Sequence, residues 1–148
     1  MAKKKLMNPS HVLIFVEGDT DEVFFKALID YYASVSCCKL LPYDICKSVK
    51  RMGIEDFIRI GVKSSIEDWI LDDLQGICSF LRLKQVPSSL KGKNGYQRML
   101  DLYKRAHRTY KKGYETEELI NALDMSAIRN KRQDVLALLE EALGVVVQ

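Results

Sequence analysis

The sequence predicts an α/β protein: a small parallel sheet of three to four strands flanked by helices, followed by an all-helical C-terminal portion. Three observations lead there. Val12–Val16 is a continuous apolar run rich in β-branched residues and bounded by Glu17-Gly18, the pattern of a strand covered on both faces. Apolar residues at helical spacing follow it at once, which is how a β-α unit begins. Beyond about residue 84 the apolar spacing is helical throughout. With 148 residues, 47% hydrophobic and 29% charged, the chain suits one ordinary globular domain. Its parts are a basic arm over residues 1–10, an α/β core over 11–83 and a helical extension over 84–148 packed on that core.

The elements follow in order. After the strand, Asp19 is the expected N-cap of the first helix, with Glu22 completing a capping box. Val23, Phe24, Ala27, Leu28 and Tyr31 form its apolar stripe. Cys37–Leu41 is the expected second strand, stopped by Pro42, with Asp44 just beyond it. Residues Ile45–Met52 fit a short helix ended by Gly53, and Asp56–Ile60 a third strand. Ser65 then caps a long helix, with Asp68 in the capping-box position and an apolar face running from Ile66 to Leu81. Residues 85–94 read as a loop. One helix carries Tyr96, Met99, Leu100, Tyr103, Ala106 and Tyr110, a second spans Glu117–Leu123, and a third runs from Ala127 to Leu143 with an interruption near Asn130.

No apolar run reaches the ~20 residues of a membrane helix, and the N-terminal stretch lacks the apolar centre of a signal peptide. A cytoplasmic protein is expected. The cysteines at 37, 38, 46 and 78 include no Cys-x-x-Cys pair, so free thiols are expected over a zinc site.

Candidate chemistry gathers at the strand ends, where α/β folds place their sites. Glu17, Asp19 and Asp21 follow the first strand, Asp44 the second, and Glu67 and Asp68 open the helix after the third. Converging carboxylates repel one another unless a cation lies among them, and hard oxygen ligands suit Mg²⁺ or Mn²⁺. Asp19, Asp21 and Asp68 have a second reading as helix caps. Glu17 is harder to dismiss, because a carboxylate between a buried strand and a glycine is rarely needed for packing. The net charge is only +3, yet residues 91–112 hold eight basic residues and one acid, Asp101. A positive field of this kind attracts a polyanion such as DNA or RNA. Arg98, Lys104, Arg105, Arg108, Lys111 and Lys112 are the candidate backbone contacts, and a solvated basic face is the competing reading.

The run Val12-Leu-Ile-Phe-Val-Glu-Gly-Asp-Thr-Asp21, continued by Glu22-Val-Phe-Phe25, resembles the first motif of Toprim domains, a strand ending in Glu-Gly-x-x-Asp/Glu. It is most similar to small phage and bacterial-defence Toprim proteins and to the nuclease half of OLD-family proteins. Lys63-Ser-Ser-Ile-Glu-Asp-Trp69 resembles a further acidic stretch of the OLD-like group. The resemblance implies a parallel sheet, a divalent-metal site and phosphodiester cleavage or transfer. On it, Glu17 is a general base or metal ligand, Asp21, Asp44 and Glu67 complete the Mg²⁺ or Mn²⁺ site, and Lys91 or Lys93 supplies a catalytic amine. Two departures accompany it. The family's Asp-x-Asp pair is matched by Asp44 alone, with Cys46 in the second place, and the segment between the first helix and Gly53 is short for two strands. These departures also allow a non-catalytic module that binds nucleic acid or a protein partner in phage defence or counter-defence.

Overall fold

A computed structural model describes residues 11–47 and 65–147. The basic arm, the third strand expected over Asp56–Ile60 and most of the helix expected over Ile45–Met52 lie outside them. The described sheet has two parallel strands, β1 (Val12–Phe15) and β2 (Tyr43–Cys46), in the register Val12–Tyr43, Leu13–Asp44, Ile14–Ile45 and Phe15–Cys46. Helix α1 (Asp19–Val35) makes the crossover between them. The residues of β1 are half-buried, rather than covered on both faces as their composition suggested.

The second strand is displaced from its expected place. Pro42 precedes it instead of stopping it, a position where a missing N–H does no harm. Val12 N–H donates to the Pro42 carbonyl at 2.8 Å and starts the ladder. Segment 37–41 bonds elsewhere: Cys37 N–H donates to Val146 O at 2.7 Å and Leu41 N–H to Leu143 O at 3.0 Å. Ser36 also forms an isolated antiparallel bridge with Val147. Ile45 and Cys46 consequently belong to a strand and not to a helix.

Helix α1 starts one residue earlier than expected. Gly18 is its N-cap, and Asp21, not Glu22, reaches back to the cap, accepting from Gly18 N–H at 3.0 Å. Ser65 caps the next helical stretch as expected, with the Asp68 carboxylate returning to the Ser65 N–H. That stretch is not one helix. It divides into α2 (Ile66–Ile70), a 3₁₀ turn (Leu71–Asp73) and α3 (Leu74–Phe80). The break centres on Asp73, which turns its carboxylate onto the Gly76 N–H at 3.1 Å and the Asp124 N–H at 2.7 Å. A Cβ at Gly76 would lie 2.0 Å from that carboxylate.

Four helices follow: α4 (Gly95–Arg105), α5 (Glu117–Asn121), α6 (Met125–Lys131) and α7 (Gln133–Leu143). The interruption expected near Asn130 falls at Arg132, whose guanidinium pairs with Asp72. Tyr110 lies beyond the end of α4, in an irregular segment. Helices α3 and α4 end alike. Arg82 and His107 take left-handed φ values of 59° and 57°, and the next N–H bonds back to Cys78 O and Tyr103 O.

One hydrophobic core joins both halves of the chain. Phe24 and Phe25 of α1 meet Trp69 of α2 edge-on, each at 5.9 Å between ring centroids. Ile77, Met99, Leu102, Ile120, Ile128 and Leu136 extend the same cluster. Beside it, Arg129 makes a two-pronged pair with Glu140, which also accepts from Tyr32 O–H at 2.9 Å. Among the described residues no helix is long and apolar enough to cross a membrane.

Candidate functional site

The end of β1 and the start of α2 meet through α1. Val16 is buried, Glu17 is exposed, and the chain turns at Gly18 into α1, so Asp21 lies one helical turn inside. Glu67, in the first turn of α2, is only 2% exposed. Burial and the neighbouring Asp21 charge push the Glu67 carboxyl above the ordinary carboxylate range, against the pull of Lys112. Asp21 is raised in the same way by burial and by Glu17, against its Gly18 hydrogen bond and Lys112. Glu17, Asp21 and Glu67 thus share one electrostatic neighbourhood.

Among the described residues, the cation of this neighbourhood is Lys112. Its Nζ lies 3.3 Å from Glu67 Oε1 and 4.1 Å from the centre of the Tyr96 ring. The residue after it, Gly113, has φ +94° and donates its N–H to the buried Thr20 hydroxyl at 2.7 Å. The segment carrying Lys112 is therefore fastened to α1 beside Asp21. Tyr110, two residues before Lys112, is buried, and its hydroxyl has no hydrogen-bond partner among the described residues. Burial, then the charge of Glu67, holds that phenol above its ordinary range. Tyr103, Tyr110 and Tyr96 stack in sequence at 5.2 and 6.1 Å, ending at the Lys112 ammonium. The three tyrosines thus pack together, although Tyr110 lies beyond α4 and not on the single helix expected for them.

Asp44 is not in this group. It sits within β2, level with Leu13, four residues or roughly 13 Å of extended chain before Glu17. Its exposed carboxylate pairs with His11 at 2.7 Å. Cys46, the second position of the expected Asp-x-Asp pair, is level with the end of β1, and its carbonyl accepts from Val16 N–H at 2.9 Å. Among the described residues, no three His, Cys, Asp or Glu side chains converge as a metal-ligand set.

The remaining candidates are spread over the surface. Lys91 and Lys93 are exposed, and their backbone N–H groups are held by Asp101 and Gln97. Arg98 and Lys104 are exposed on α4. Arg105 pairs with Asp101 and donates to Ser89 O, Arg108 lies over the rings of Phe80 and Tyr103, and Lys111 approaches Glu115 at 3.8 Å. Asp19 and Glu22 share Lys47, and Tyr114 donates to Glu22 at 2.8 Å. Sequence reasoning counted Lys112 among the backbone contacts and missed its place beside Glu67. The available signal was the Tyr110-x-Lys112-Gly113 order, in which an extended i, i+2 pair precedes a residue free to adopt positive φ. No family model, curated protein or solved structure matches the chain.

Proposed function

We propose that the protein is a Toprim-like enzyme that cleaves or transfers nucleic-acid phosphodiesters with the help of Mg²⁺ or Mn²⁺. The observation that carries this reading is the carboxylate of Glu67, buried beside Asp21 at the strand end that bears Glu17. Burying a carboxylate is costly unless positive charge compensates it. Mg²⁺ commonly takes one or two protein carboxylates and fills its remaining positions with water and substrate phosphate. Asp21 and Glu67, both held above their ordinary range, form a hard oxygen pair of that kind. The donor chemistry fits the ion, and among the described residues these two carboxylates are the ligands available.

In this reading Asp21 and Glu67 hold the ion, which polarises a phosphoryl oxygen when bound. Glu17, exposed at the strand end, accepts the proton of the attacking water or hydroxyl. Lys112, 3.3 Å from Glu67, would stabilise charge on the phosphate in place of Lys91 or Lys93. Arg98, Lys104 and Lys111 contact the backbone of DNA or RNA further along.

A second reading, a binding module without catalysis, is favoured by the pairing of Asp44 with His11 and by Cys46 in the second position of the Asp-x-Asp match. A thiol is a poor ligand for a hard ion. One set of assays separates the two. Wild-type protein should nick plasmid or single-stranded nucleic acid with Mg²⁺ or Mn²⁺, Glu67→Gln and Glu17→Gln should not, and Cys46→Asp should be faster. Metal-independent nucleic-acid binding with no cleavage in any of the four proteins would decide for the second reading.

A further inference from the structure

We infer that Lys112 occupies the cation's seat at Glu67 in the metal-free protein and gives it up when a divalent ion binds. This rests on the metal-dependent reading above and adds how that site is regulated. Glu67 is 2% exposed and has two claimants for its negative charge: the Lys112 ammonium already within 3.3 Å, and the ion. Two positive charges cannot share one small carboxylate pair without strong repulsion in a poorly solvated place. Binding is therefore an exchange. The ammonium keeps its proton and leaves, and the ion takes its contact.

The structure gives the displaced amine somewhere to go. Half of the Lys112 side chain is already exposed, so the outward path is solvated. The Tyr96 ring, 4.1 Å away, continues to attract the ammonium after Glu67 is lost. The backbone does not travel with it, because Gly113 remains bonded to Thr20 and Tyr114 to Glu22. Only the flexible lysine stem moves. The same amine thus balances Glu67 before the metal arrives and faces the substrate phosphate afterwards. An ion-free protein keeps its buried acid paired and folded, and loading is linked to the release of a phosphate-binding cation.

The test measures metal affinity instead of turnover. Mn²⁺ is titrated calorimetrically into wild type, Lys112→Met, Lys112→Arg and Glu67→Gln at mildly alkaline pH. Removing the internal competitor should tighten binding about tenfold in Lys112→Met, within the usual range of coupling between two bound species. Lys112→Arg, which keeps the charge, should bind like wild type. Saturating Mn²⁺ should raise the melting temperature of Lys112→Met more than that of wild type. If Lys112→Met does not fold, Lys112→Gln carries the same comparison. Equal or weaker binding in the neutral variant, with binding in wild type still dependent on Glu67, overturns the exchange and leaves the metal-dependent reading standing. No Glu67-dependent binding in any protein overturns both.

Discussion

Gly95 faces Asp68 so closely that a Cβ added to it would lie 2.5 Å from the Asp68 backbone nitrogen. This approach brings the first turn of α4 against the first turn of α2, next to the residue that precedes Asp68, Glu67. Gly95→Ala should destabilise the protein by about 1–3 kcal/mol, the usual range for overpacking. It should also loosen the Lys112–Glu67 pair, because Tyr96 directly follows the displaced residue. Chemical denaturation gives the first effect. If stability is unchanged, the contact is not tight in solution.

Stability near neutral pH should be limited by Glu67. Its folded-state pKa is raised by burial, so between the ordinary carboxylate value and the raised value the folded protein binds more protons than the unfolded chain. Stability must then fall as pH rises through that window, and Asp21 adds a contribution of the same sign. Glu67→Gln removes the main titrating group. Denaturation midpoints measured from acid to neutral pH should decline less in this variant than in wild type. An identical slope in the two proteins would show that Glu67 does not titrate in the window.

Glu140 acts with the opposite sign. Burial alone would raise it, but hydrogen bonds from Arg129 and Tyr32 outweigh burial and lower its pKa. Its contribution is present above the ordinary carboxylate value and fades as pH falls through the lowered one. Arg129→Met would leave this largely buried carboxylate unpaired, at a cost of about 3–5 kcal/mol. Thermal unfolding of the variant should show the deficit at neutral pH and much less of it in acid, where Glu140 is protonated in both proteins.

The parts legible in the sequence were those governed by local rules. The Val12–Val16 run, the Ser65 and Asp68 cap and the apolar stripe of α1 required only neighbouring residues to be understood. The second strand was misplaced because its N–H partners lie at residues 143 and 146, which no local pattern reveals. Asp73 broke a helix whose apolar spacing is continuous, because its carboxylate also binds the Asp124 N–H, 51 residues away. The site divided along the same line. Glu17, Asp21 and Glu67 followed from position relative to strand ends and helix starts. Lys112 did not, since a lysine in a basic run looks alike whether it faces solvent or a buried carboxylate. Asp44 lies apart from them because β2 begins at Tyr43, which puts this aspartate inside the strand and not beyond its end.

The bonds from residues 143–147 back to residues 36–41 bear on the time the chain needs to fold. The link between α1 and β2 is secured by a segment more than a hundred positions downstream, and Tyr32 meets Glu140 across a similar separation. Such contacts require a long loop to close before they stabilise anything, and chains dominated by them fold slowly. The β1–α1–β2 unit, although it comes first in the sequence, is thus expected to mature late, after the helices around Ile120 and Ile128 have joined the core.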